Sequence, residues 1–190
     1  MNNGEKLSLD VRKACTIHIF RASGKRSLLL TGSRGAGKTT LLESLLPPGD
    51  LPGVRSFAVR EGDGPPSCIL MEDRQSGERQ VIGKFAAGKM HPCPEALDTF
   101  GVGLLQKAAC APGEWAAVDE VGFLEGSSPA YCQALEQLFE KKRVVAVLRK
   151  ASFPWLERLR WREDCLLLDL DEERRWAVES TCACPENALY

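Results

Sequence analysis

Residues 32–39, Gly32-Ser33-Arg34-Gly35-Ala36-Gly37-Lys38-Thr39, match the phosphate-loop pattern G-x-x-x-x-G-K-[ST] at every specified position. The pattern demands a strand entering the loop and a helix leaving it. Both are present: residues 27–31 are apolar, and leucines at 41, 42, 45 and 46 form one face of a helix over residues 38–46. Pro47-Pro48-Gly49 stops that helix. The glycines let the backbone curl so that successive N–H groups converge on phosphate oxygens, and the helix adds the positive end of its dipole. Gly32, Ser33, Arg34, Gly35, Ala36, Gly37, Lys38, Thr39 and Thr40 are therefore the expected nucleotide ligands. Lys38 is expected to bridge the β- and γ-phosphates, and the Thr39 hydroxyl to ligate Mg²⁺.

The rest of the chain alternates between the two periods. Residues 16–20 and 27–31 are short apolar runs separated by a Ser23-Gly24 turn, which reads as a hairpin or two neighbouring strands. Residues 54–60 predict a strand, and residues 69–71 and 80–85 a hairpin turning at 74–77. A helix follows over 94–109, then a short buried strand over 115–118 running into Asp119. Ser128 is the expected N-cap of a helix with Pro129 at its first position, extending to about Lys142. Residues 144–148 give the strongest strand pattern, followed by a helix over 152–161 and a strand over 165–170. Strands alternating with helices predict an α/β fold of three layers, the P-loop NTPase architecture: a mostly parallel central sheet, helices on both faces and an inserted antiparallel hairpin. One domain over 1–190 is expected, with 1–26 as an N-terminal extension and possible edge strand, and 176–190 as a C-terminal tail.

Charge narrows the function classes. Lys plus Arg number 25 against 26 for Asp plus Glu, a net charge of -1, which gives no broad positive field for nucleic acid or an anionic membrane. A small anion held by local dipoles remains compatible with that balance. No apolar run approaches the ~20 residues of a membrane span, and residues 1–10 lack a signal-peptide core, so a cytoplasmic protein is expected. Of the eight cysteines, six are scattered singly, as reduced thiols are. Cys182 and Cys184 form one close pair without a second pair to complete a zinc pattern.

A phosphate loop needs an acidic partner at a neighbouring strand end, and Asp119-Glu120 supplies it. Asp119 is the expected Mg²⁺ carboxylate; Glu120 is placed to orient or deprotonate an attacking water. Asp119-Glu120-Val121-Gly122 also fits the D-x-x-G element of GTPase switches. No guanine-reading N-K-x-D or T-K-x-D accompanies it, because Asn occurs only at 2, 3 and 187 and no Thr precedes Lys. Arg149 and Lys150, after the 144–148 strand, and Arg60 are candidates for neutralising charge on the γ-phosphate. Arg158, Arg160 and Arg162 alternate with Glu157 and Glu163 and read as an exposed helix face rather than a kinase lid. His18 and His91 have no partners at metal or triad spacing.

The segment Val118-Asp119-Glu120-Val121-Gly122-Phe123-Leu124-Glu125 resembles the D-E-[IV]-G-x-M-E element of the THEP-type nucleoside-triphosphatases. Val59-Arg60-Glu61-Gly62 is similar to that family's E-V-R-E-G strand, and Leu148-Arg149-Lys150 to its H-R-K. Residues 168–174 faintly resemble its closing T-x-E-N-R segment, so the likeness spans roughly 27–174. The resemblance implies a sheet with an extra strand between the phosphate-loop strand and the acidic strand. It also implies slow, Mg²⁺-assisted hydrolysis of nucleoside triphosphates with broad base tolerance. Lys38 and Thr39 would serve phosphate and metal, and Asp119 and Glu120 metal and water. The chain departs from the family at Ala58 (Glu there), Leu124 (Met) and Leu148 (His).

These readings lead to a Mg²⁺-dependent triphosphatase acting on ATP, GTP and other triphosphates, with Lys38, Glu120 and Arg149 as catalytic residues. A small-molecule or nucleotide kinase, and a nucleotide-binding accessory module with little turnover, are the alternatives. The partner expected is the nucleoside triphosphate, without nucleic acid or membrane.

Overall fold

The computed structural model describes residues 7–47, 51–60 and 62–172. The chain enters as helix α1 (Leu9–Ser23), where the sequence suggested an edge strand. Local chemistry favours the helix. Ser8 caps it by accepting from the Val11 N–H, Asp10 complements its positive end, and Gly24 closes it in a left-handed conformation. Thr16, Ile17 and Phe20 are buried on one side, so the apolar run over 16–20 is a helical stripe rather than a strand.

Strand β1 (Ser27–Thr31) leads through the phosphate loop into α2 (Lys38–Leu45). Then come β2 (Gly53–Arg60), β3 (Pro66–Asp73), β4 (Arg79–Ala86) and β5 (Lys89–Pro92). A short helix α3 (Pro94–Ala96) passes through a π-turn at Leu97–Gly101 into α4 (Val102–Cys110). The second half holds β6 (Trp115–Val121), α5 (Pro129–Lys141), β7 (Arg143–Leu148), α6 (Pro154–Arg160) and β8 (Cys165–Asp169). As expected, Ser128 caps α5 by accepting from the Tyr131 N–H, with Pro129 at the first position.

Among the described residues, eight strands form one sheet in the order β5-β4-β3-β2-β6-β7-β1-β8. The block β2-β6-β7-β1-β8 is parallel, and β3, β4 and β5 continue from β2 as an antiparallel meander. The expected hairpin is thus present with one further strand, β5. Strand β7 lies between β1 and β6, the insertion that the resemblance implied.

Side-chain alternation divides the core between the two faces of the sheet. Leu28, Leu30, Val145 and Val147 pack with α1 and α2 through Ile17, Phe20, Leu41, Leu42 and Leu45. Leu29, Val144, Ala146 and Leu148 pack on the opposite side with Leu104 and Leu105 of α4 and Leu135, Leu138 and Phe139 of α5. The result is three layers, with the sheet's phosphate-loop edge held from both sides. Cys15, Cys68, Cys93, Cys110, Cys132 and Cys165 are free thiols. The Cys182/Cys184 pair, the tail and residues 173 and 174 of the closing segment lie outside the described residues, as do Pro48, Gly49 and Glu61.

Candidate active site

The carboxyl ends of β1, β7 and β6 open onto one cavity of about 810 Å³. Gly32, Ser33, Arg34, Gly35, Gly37, Lys38, Thr39 and Thr40 line it from the phosphate loop, with Glu120 and Arg149 opposite. Ala36 is different. It packs beside the core under α1 and α2 and contributes its backbone rather than a cavity wall.

The loop is held by three cations and one acid. Lys38 Nζ donates to the Gly32 and Ser33 carbonyls, 3.1 Å each, so it arches over the space it is expected to share with phosphate. Asp171, just past β8, accepts from the Ser33 N–H at 2.9 Å and the Ser33 hydroxyl at 2.8 Å. Lys150 pairs with Asp171 and Asp169, 2.8 Å each. Those contacts hold the Asp171 carboxyl down at about 2, the Lys150 hydrogen bond first and Ser33 next. Lys150 is therefore a strut for the loop, whereas Arg149 keeps its guanidinium in the cavity, 5.5 Å over the Phe123 ring. The third cation is Arg12 of α1, whose Nη2 donates to the Ala36 carbonyl at 2.9 Å.

Asp119 is 2% exposed, in β6, with the Thr39 hydroxyl beside it. Burial raises its carboxyl to about 6; the adjacent Thr39 hydroxyl opposes the rise and the neighbouring Glu120 charge adds to it. Its Oδ1 is buried with no hydrogen-bond partner. A buried carboxylate oxygen with no donor, beside a threonine hydroxyl at the head of a phosphate-loop helix, suits a hard oxygen-seeking cation such as Mg²⁺. The residues present therefore fit the metal that the motif implies. Glu120, the next residue along, reaches the cavity.

Glu125 is a site residue to which the sequence reading gave no role, although it closes the segment that resembles D-E-[IV]-G-x-M-E. It is 3% exposed, lines the cavity and accepts from the Gly122 N–H at 2.8 Å, which ties the turn after β6 into a closed loop. Burial lifts its carboxyl to about 7, against backbone hydrogen bonds that lower it. Its signal was an acid set between apolar Leu124 and a tight Gly-containing turn. Arg12 was hidden for another reason: with residues 16–20 taken as a strand, positions 12, 16 and 20 do not read as one helical stripe.

The remaining basic candidates separate. Arg60 lines the far part of the cavity and donates to the Gly64 carbonyl at 2.9 Å. Arg160 donates to the Arg149 carbonyl at 2.7 Å and pairs with Glu157, which braces the chain carrying Arg149. Arg158 pairs with Glu136 and Arg162 with Asp164, outside the cavity. His91 Nε2 sits 3.1 Å from the Ala86 carbonyl, in the hairpin between β4 and β5.

Comparison with known proteins bears on the fold and the family. Nucleoside-triphosphatase THEP1 of Thermotoga maritima is 29% identical over 154 residues, covering 78% of this chain and 88% of the relative. The protein of the same name from Archaeoglobus fulgidus is 26% identical over 157 residues, covering 80% and 94%. Among solved structures, THEP1 from Aquifex aeolicus superposes with a TM-score of 0.61 at 15% identity, over 80% of this chain and 95% of that one, which establishes the fold. A family model described as NTPase matches residues 27–182, from β1 past the last described strand, and on that match the chain belongs to the NTPase family.

Proposed function

We propose that this protein is a Mg²⁺-dependent nucleoside-triphosphatase that releases the γ-phosphate of ATP, GTP and other triphosphates. The observation that carries the reading is the pairing of Thr39 with a buried Asp119 whose Oδ1 has no partner, one residue before the cavity-lining Glu120. Family membership and the curated names of its relatives support the hydrolase class.

Thr39 and Asp119 would hold Mg²⁺, which would supply neutralisation of the triphosphate's charge. The protein's own part is positioning and proton handling. Loop amides and the α2 N-terminus cradle the phosphates, and Lys38 swings from its two carbonyl partners onto the γ-phosphate. Glu120 orients the attacking water and takes its proton, and Arg149 faces the charge that develops on the transferred group. Thr40 and the amides of Ser33, Arg34, Gly35, Ala36 and Gly37 complete the phosphate contacts. Broad base tolerance is supported by the absence of a guanine-reading motif in the sequence. A cytoplasmic setting without nucleic-acid or membrane partners fits the net charge of -1, and no helix among the described residues is long and apolar enough to cross a membrane. Residues 1–190 are read as one domain whose first 26 residues carry α1. Phosphate release from ATP, GTP, CTP and UTP, with and without Mg²⁺, tests this reading; release from one base alone contradicts the tolerance.

One observation favours a second reading, phosphoryl transfer to an organic acceptor. The part of the cavity over β2, β3, β4 and β5 is walled by Phe57, Ile69, Phe85, Met90 and Phe123. In-line displacement sets the nucleophile opposite the leaving nucleoside diphosphate, and these walls line the same cavity as Glu120 and the phosphate loop. Diphosphate release that depends on an added alcohol or nucleoside supports transfer; release without any acceptor supports hydrolysis.

A further inference from the structure

Helix α1 precedes the stretch that the family model matches, residues 27–182, yet it delivers a charged side chain to the phosphate loop. Ile17 and Phe20 anchor the helix in the core beside Leu41, Leu42 and Leu45 of α2, and Phe20 meets Trp115 with ring centroids 6.0 Å apart. One turn and more towards the N-terminus, Arg12 is only 7% exposed, and its Nη2 donates to the Ala36 carbonyl at 2.9 Å. A Cβ on Gly37 would lie 2.8 Å from Arg12 Nη1, so the guanidinium occupies the space beside Gly37 that a side chain would need. Gly37 itself has φ +86°, a conformation that glycine adopts without steric cost.

We propose that Arg12 is a positioning residue for the triphosphate, acting through the Ala36–Gly37 peptide. A trans peptide group is planar, with its C=O and N–H pointing in opposite directions. Holding the Ala36 carbonyl towards α1 therefore aims the Gly37 N–H into the loop, at the phosphate. The guanidinium is largely removed from water and sits directly behind the loop. The ligand class it serves is a di- or triphosphate chain, independent of the base. This assignment rests on the nucleotide-binding reading above and adds the N-terminal helix to the site.

The test compares wild type with Arg12→Met, Arg12→Lys and Arg12→Gln by steady-state ATP hydrolysis and by calorimetric binding of inorganic pyrophosphate. Loss of one charge-assisted hydrogen bond predicts that Arg12→Met raises KM for ATP and Kd for pyrophosphate about tenfold or more, with kcat within about threefold. Arg12→Lys should recover part of the loss through its charge, and Arg12→Gln part through its donor. A folded Arg12→Met with wild-type KM and pyrophosphate affinity overturns the proposal, as does a change confined to the melting temperature. Should Arg12→Met not fold, NMR of the wild type titrated with MgADP decides: Arg12 side-chain and Gly37 amide resonances shifting together support it, and saturable ADP binding without either shift refutes it. A wild type that neither binds pyrophosphate nor releases phosphate would instead remove the nucleotide reading, and the role of Arg12 with it.

Discussion

The Thr39 hydroxyl lies beside the Asp119 carboxylate although β1, which leads into the phosphate loop, and β6, which carries Asp119, are separated by β7. Thr39 stands on the helix that leaves the phosphate loop; Asp119 comes from the last turns of a strand two positions away. Parallel strands bring their carboxyl ends to one edge, so a motif near residue 39 and another near 119 meet there. Asp119 Oδ1 is buried with no hydrogen-bond partner, an oxygen that a hard cation would satisfy.

Lys38 spans two carbonyls of its own loop. Lys38→Ala removes the mobile cation and leaves those carbonyls to water, with little cost to folding. ATP hydrolysis should fall by a factor of about 100 or more, and ATP affinity about tenfold, while the thermal midpoint holds. Phosphate release and calorimetry on the purified variant measure both.

Asp119 binds a cation only when ionised, and burial has moved its carboxyl up to about 6. Apparent Mg²⁺ affinity in the hydrolysis assay should be level above pH 7 and weaken about tenfold per pH unit below 6, as protons compete for the carboxylate. Asp119→Asn should abolish the Mg²⁺ response at every pH. Titrations of Mg²⁺ at pH 5, 6, 7 and 8 check the slope.

Glu125 gives a stability prediction with a defined sign. Its folded value, about 7, is raised from 4.5, so its contribution is full below about 4.5 and lost as pH rises through 7. Glu125→Gln retains an oxygen for the Gly122 N–H but never ionises. The variant should match wild type near pH 4.5 and exceed it at pH 8, by an amount on the order of 3 kcal/mol. Urea denaturation at the two pH values measures the difference.

Gly53 sets the approach of β2 to the acidic strand. A Cβ there would lie 1.9 Å from the Ala117 carbonyl oxygen, and φ is +143°, so the backbone itself blocks a side chain. Gly53→Ala should destabilise the protein by about 3 kcal/mol or more and lower activity by displacing β6. Thermal unfolding together with phosphate release reads both effects.

The phosphate-loop unit was legible in the sequence because its chemistry is local: strand, glycines, Lys38-Thr39 and helix follow one another along the chain. The strand over 115–118 and the acids that follow it were legible for the same reason, although the strand itself continues to Val121. Residues 16–20 were not, because five apolar and polar residues suit either period, and only Ser8, Gly24 and the burial of Arg12 and Thr16 decide for the helix. Strand β5 escaped notice because its four residues, Lys89–Pro92, carry no alternation of their own and are ordered by pairing with β4. The grip of Asp171 on Ser33 spans 138 residues of sequence, and nothing near either position signals it.

The central claim is that Glu120, beside the Thr39–Asp119 metal pair, turns over water at a bound triphosphate. Glu120→Gln with MgATP tests it most directly, by measuring binding and phosphate release on one preparation. The account predicts ATP affinity within about threefold of wild type and a phosphate-release rate lower by a factor of about 100 to 10,000. Hydrolysis by Glu120→Gln at the wild-type rate would contradict it.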